Sequence, residues 1–169
     1  MSDGVVVDTH LMTEFYQGLR GQNNYIYETI NAICRGPGLA ASEKLFAEWR
    51  NTCGTYVFLQ WIADQLKNGI IRKVENPYLP RAIIKKLINN FGLPRGMDLE
   101  IVKCANSTQI KYIMSDDMHL YDPKSKNAST KEKERARDQR KGKLCCFLRN
   151  HLGITLGTCA HCRSDLQLK

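Results

Sequence analysis

The apolar residues of the first half of this chain recur at the spacing of an α-helix, and that period constrains the fold more than any other feature. Leu11, Phe15 and Leu19 follow an Asp8/Thr9 cap and stop at Gly21. Tyr25, Ile26, Ile30 and Ile33 repeat the pattern up to Gly36-Pro37-Gly38. A longer helix is expected from Ser42 to Leu66, with Leu45, Phe46, Trp49, Cys53, Tyr56, Val57 and Gln60 on its inner face, a kink at Gly54 and a stop at Gly69. Asn76-Pro77 and Pro80 open a fourth helix carrying Ile83, Ile84, Leu87, Ile88 and Phe91, with Gly92 at its end. Residues 8 to 92 therefore read as helical.

The texture then changes. Leu99 to Lys103 and Gln109 to Ile113 alternate apolar and polar residues, which predicts a short β-hairpin turning near Asn106-Ser107. Residues 115 to 130 read as a loop, and Lys131 to Leu152 as a helix interrupted at Gly142. The expected fold is mainly α. A compact helical domain with a small hairpin, residues 1–122, precedes a basic helix and a small C-terminal zinc-stabilised module, residues 123–169. A chain of 169 residues with 43% apolar and 25% charged side chains has the core for such a domain.

The net charge of +8 is a statement about partners. From Lys124 to Arg149 there are ten Lys or Arg against three acids, a surplus of seven that holds nearly all of it. Lys131, Lys133, Arg135, Arg137, Arg140, Lys141, Lys143 and Arg149 are the expected nucleic-acid contacts, through phosphates and with steep salt dependence. The bland alternatives are a solvated face and a nuclear-import signal.

Four of the seven cysteines and two of the four histidines lie in the last 25 residues. Structural zinc takes four N or S ligands in a tetrahedron, and Cys146-x4-His151-x7-Cys159-x2-Cys162 supplies them, with Cys145 and His161 as alternates. In an unbroken helix Cys146 and His151 stand about 140° apart, so the set requires unwinding before Gly153. Its Cys159-x2-Cys162 half resembles a zinc knuckle, a likeness confined to those few residues. The other readings are reduced structural thiols and redox chemistry. Cys34, Cys53 and Cys104 lie singly in apolar contexts and read as buried thiols.

Met1-Ser2-Asp3-Gly4 begins no secretory leader, and no run approaches the roughly 18 apolar residues of a membrane span. An intracellular protein of nucleus or cytoplasm is expected. No H-E-x-x-H, P-loop, dinucleotide or nucleophile-elbow motif is present. Asp98, Glu100 and Lys103 sit at the wrong spacing for a nuclease strand, and Asp116-Asp117-Met118-His119 reads as a solvated turn. The expected function is thus a non-enzymatic, zinc-binding, nucleic-acid-binding regulator, RNA favoured over DNA, of the compact kind found among viral accessory proteins. The runner-up is an adaptor that binds a protein partner through its helical domain. A metal-dependent nuclease comes third.

Overall fold

The computed structural model describes residues 3–22, 24–125 and 127–169. The molecule is mainly helical, but its helices surround short parallel strands. In chain order the elements are β1 (Val6–Val7), α1 (Thr9–Leu19), α2 (Tyr25–Arg35), β2 (Leu39–Ala41), α3 (Glu43–Thr52), α4 (Tyr56–Lys67) and β3 (Ile71–Lys73). There follow α5 (Arg81–Asn89), α6 (Met97–Asn106), β4 (Tyr112–Met114), α7 (Met118–Tyr121), α8 (Thr130–Asp138), α9 (Lys143–Phe147), a π-turn (Leu148–Leu152), β5 (Thr155–Gly157) and α10 (Cys159–Asp165).

β1, β4 and β5 form one sheet in the order β1-β4-β5, and β2 pairs with β3. Every pairing is parallel: Val6 faces Ile113, Ile113 faces Leu156, and Leu39 faces Ile71. A parallel bridge between Val5 and Leu39 joins the two sheets, with Val5 N–H donating to Gly38 O at 2.9 Å and Ala40 N–H to Val5 O at 3.0 Å. The strands therefore run in the order β3-β2-β1-β4-β5. Gly4, at φ +138°, enters this seam so closely that a Cβ would lie 2.6 Å from the Leu39 carbonyl carbon.

Parallel strands are covered on both faces and read as unbroken apolar runs. Val5, Val6, Val7, Leu39, Ala40, Ala41, Ile113 and Met114 are fully buried. A run of two or three residues is too short to show any period. That is why the strands at 6–7, 39–41, 71–73 and 155–157 escaped a reading based on helical spacing. The expected hairpin is corrected: only Tyr112–Met114 is a strand. Residues 99–103 belong to α6, which lies against β1, β2 and β4 and buries Leu99, Glu100, Ile101, Val102, Cys104 and Ala105. A helix buried around most of its circumference loses the polar face that marks the 3.6 period.

The helices α1, α2 and α5 lie where the spacing places them. The long helix from Ser42 is two helices. The chain breaks at Cys53–Thr55, where a Cβ on Gly54 would lie 2.4 Å from Arg50 O. The break rotates α4, so Phe58 and Ile62 face the core while Tyr56 (79% exposed) and Val57 face solvent. The basic segment likewise divides into α8, with no buried residue, and α9, which buries Leu144, Cys145 and Phe147. The boundary expected near residue 122 falls between β4 and β5, which are neighbours in one sheet, and the buried core runs across it. Among the described residues no helix is long and apolar enough to cross a membrane.

Candidate active site at the carboxyl edge of the sheet

Two strands of this sheet end in acid. β1 runs straight into Asp8, and β4 is followed by Ser115, Asp116 and Asp117. They are adjacent and parallel, so these residues emerge side by side. The chain builds outward from β1 to β2 and β3, then crosses back to place β4 on the other side of β1. A reversal of that kind opens a crevice outside the carboxyl ends of the two central strands, the usual ligand position in open parallel sheets.

Asp8 precedes α1 but makes no side-chain cap to it. Its carboxylate instead accepts from Ser115 Oγ at 2.7 Å, which ties the ends of β1 and β4 together. Ser115 Oγ also accepts from Asp117 N–H at 3.1 Å. Asp117 caps α7, accepting from His119 N–H at 3.0 Å. The Asp116 carboxylate accepts from Cys159 N–H, the first amide of α10, at 3.2 Å. Two further acids come from helices. Glu48 of α3 accepts from Thr9 Oγ1, and Asp98 stands in the first turn of α6.

Asp8, His10, Asp98, Asp116, Asp117 and Arg137 line a cavity of about 530 Å³. Burial, then the charges of Asp8, Asp117 and Glu48, push the Asp98 carboxyl up to about 6. Asp8 is raised by burial against the Ser115 hydrogen bond, with Asp117 and Glu48 adding repulsion. These carboxylates therefore act on one another, although they come from residues 8, 48, 98 and 117. Among the described residues no three His, Cys, Asp or Glu side chains stand close enough to enclose an ion.

Arg137 of α8 brings the basic segment to the same cavity. Its guanidinium donates to Asp116 O at 2.9 Å and to the Asp138 carboxylate at 3.0 Å. The other expected cations divide. Arg140 is held by Asp165 through two hydrogen bonds at 2.5 and 3.1 Å, and Arg149 donates to Cys146 Sγ at 3.7 Å. Lys131, Arg135, Lys141 and Lys143 are exposed, and Lys133 is half-buried.

Among the described residues, those expected as zinc ligands form no group that could hold an ion. His161 Nδ1 accepts from Thr158 N–H at 3.1 Å, so Nε2 carries the proton and donates to Asp138 O at 2.8 Å. Neither ring nitrogen then has a lone pair to offer. The His151 ring stacks on Phe147 at 4.8 Å. Cys145 Sγ faces Leu156 O at 3.9 Å, and Cys146 Sγ faces Arg140 O at 3.8 Å. Cys159 and Cys162 are buried one turn apart on α10, and burial pushes the Cys162 thiol up to about 12. The backbone does widen before Gly153, as a π-turn.

Spacing along the chain set Asp98 and Asp116-Asp117 aside one at a time and took Asp8 as a cap, and Glu48 carried no signal of its own. The usable signal is a buried apolar triplet running into acid, which occurs twice, at Val5-Val6-Val7-Asp8 and Tyr112-Ile113-Met114-Ser115-Asp116. Comparison with known protein families, curated proteins and solved structures finds no match for this chain.

Proposed function

We propose that this chain is a divalent-cation-dependent nuclease whose reaction centre is the crevice beyond β1 and β4. One observation carries the reading: Asp8 after β1, Asp98 of α6, and Asp116 and Asp117 after β4 line one cavity that the basic segment also reaches through Arg137, with Glu48 of α3 near enough to act on Asp8 and Asp98. An all-oxygen donor set suits hard cations such as Mg²⁺ or Mn²⁺ rather than zinc. When bound, such a cation neutralises charge on the transferring phosphoryl group. The chain's own residues do the rest. Ser115 and Thr9 orient the Asp8 and Glu48 carboxylates. Asp98, in the first turn of α6, can take a proton from water. Arg137, held by the Asp116 carbonyl, faces the phosphate. Lys131 and Arg135, exposed on α8, draw in the rest of the polyanion.

The nucleic-acid partner expected from charge is kept in this reading, and the non-enzymatic regulator is set aside. The adaptor reading finds support in α4, whose Tyr56, Val57, Leu59 and Leu66 face solvent, but it leaves the crevice without a role. Incubation of the full chain with labelled RNA and DNA oligonucleotides in Mg²⁺ or Mn²⁺ tests the proposal. Cleavage that chelator stops and Asp8→Asn abolishes supports it. Intact substrate under all these conditions refutes it.

A further inference from the structure

Two stretches of this chain carry cations and no acid. Four Lys or Arg lie between Glu75 and Asp98, and five between Asp138 and Asp165. The fold brings the two stretches together where the end of α5 meets α9, and none of the residues at that meeting lines the crevice. Phe91, just past α5, packs on Phe147 of α9 with ring centroids 4.6 Å apart. Phe147 in turn stacks on His151 of the π-turn, 4.8 Å away and 29° from parallel. Phe147 is buried and His151 is exposed, so this ladder of three rings ends in solvent. Lysines surround it. Lys86 Nζ stands 5.4 Å from the centre of the Phe147 ring. Lys143 lies one helical turn before Phe147, on the same side of α9. Lys124 donates to Asn89 O at 3.2 Å and lies along Gly92, the neighbour of Phe91. All three lysines are exposed, and among the described residues none is held in an ion pair.

We infer that this surface binds a nucleic-acid single strand, with one base stacked on the outer face of His151 and phosphates on Lys86, Lys124 and Lys143. The inference stands apart from the nuclease reading, since it uses other residues and needs no cleavage. Cations gathered from acid-free stretches set up a local positive field, which selects a polyanion. The ring at the end of the ladder selects among polyanions. Bases of a single strand expose flat faces that stack on aromatic and imidazole rings, while bases inside a duplex are covered by their neighbours. The buried Phe147 behind His151 fixes the plane of the imidazole, so the platform stands before a base arrives and little order is lost on binding. An anionic membrane or an acidic peptide would use the lysines and leave the ring ladder without a role.

The test is binding by the full chain of a fluorescent mixed-sequence single strand, as RNA and as DNA, in chelator over a salt series, beside a blunt duplex and phosphatidylserine vesicles. His151→Ala should weaken single-strand binding about tenfold at every salt concentration, the scale of one lost stack, and leave the slope of log K against log salt unchanged. His151→Phe should restore the affinity, which separates a lost ring from damaged folding. Replacing Lys86, Lys124 and Lys143 together by Gln should flatten the slope by about 2 units, about 0.7 per phosphate released, and replacing them by Arg should keep it. The duplex should bind more weakly and be indifferent to His151→Ala. Full affinity in His151→Ala, equal losses on strand and duplex, or a slope untouched by the Gln variant would each overturn the inference. Vesicles bound more tightly than the single strand would assign the lysines to a membrane and overturn it too. Cleavage in Mn²⁺ is scored separately. Binding that depends on His151 in a chain that cleaves nothing supports this surface and sinks the nuclease reading; cleavage with binding indifferent to His151 does the reverse.

Discussion

The C-terminal Cys/His region and the carboxylate crevice are opposite in construction. The first is dense in sequence, and several of its side chains have local contacts: His161 closes a capping box, His151 stacks on Phe147, and Cys145 faces the strand beside it. The second is scattered from residue 8 to residue 117, and the parallel sheet gathers it. Clustering along a chain measures chemical potential only where short-range geometry lets the groups share a target. Residues far apart share one when topology carries them to the same edge.

The sharpest way to break the contrast is substitution on both sides of it. Asp8→Asn or Asp117→Asn should lower cation-dependent cleavage on the order of 10³-fold or more, the scale of about 4 kcal/mol of lost transition-state stabilisation. Cys159→Ser, in the same assay, should stay within a few fold of the parent. Equal losses on the two sides would mean that the C-terminal region contributes to the chemistry.

Removal of residues 123–169 comes next. The cut takes β5 from beside β4 and opens buried Ile113 and Met114 to water. Each large apolar side chain uncovered costs roughly 1.5–3 kcal/mol, against a total stability of about 5–15 kcal/mol. The shortened chain should show no cooperative thermal transition. A sharp transition would restore the boundary near residue 122. Within the intact chain, Leu156→Ala should cost about 2–5 kcal/mol in denaturant unfolding.

Zinc separates the regions by a smaller effect. Metal analysis after purification should give well under one equivalent, and a chelator should leave the melting temperature unchanged. One equivalent of zinc, with melting that falls on chelation, would show that the engaged ligands rearrange around an ion.

The same contrast explains what was legible in the sequence. α1, α2 and α5 could be read because each is amphipathic and each ends at Gly or Pro. The sheet was hidden because its strands are two or three residues long, and β1, β2 and β4 are buried throughout. The rotation of α4 was hidden because a kink and a break at Gly54 share one sequence pattern. Asp98 was misplaced with α6, which is buried around most of its circumference and so shows no helical period. Arg137 was legible as a cation, but only the fold puts it on the crevice wall.

The smallest effect concerns Asp165. Burial raises its carboxyl, but the hydrogen bonds from Arg140 and Tyr112 outweigh it and hold the group below its ordinary value. A depressed folded-state value stabilises the native state above the ordinary carboxylate range, and the contribution is lost as pH falls through the lowered value. Asp165→Asn should therefore cost less than about 1 kcal/mol at neutral pH, since the pair is partly solvated. The difference from the parent should vanish in acid. Stability curves that stay parallel down to pH 2 would assign the effect to packing.

The most direct measurement is a count of bound Mn²⁺ by electron paramagnetic resonance on the full chain. The carboxylate account predicts saturable binding that Asp8→Asn and Asp117→Asn each weaken at least tenfold and that Cys159→Ser and Cys162→Ser leave intact. Binding indifferent to Asp8 and Asp117, or lost on replacing the cysteines, would contradict it.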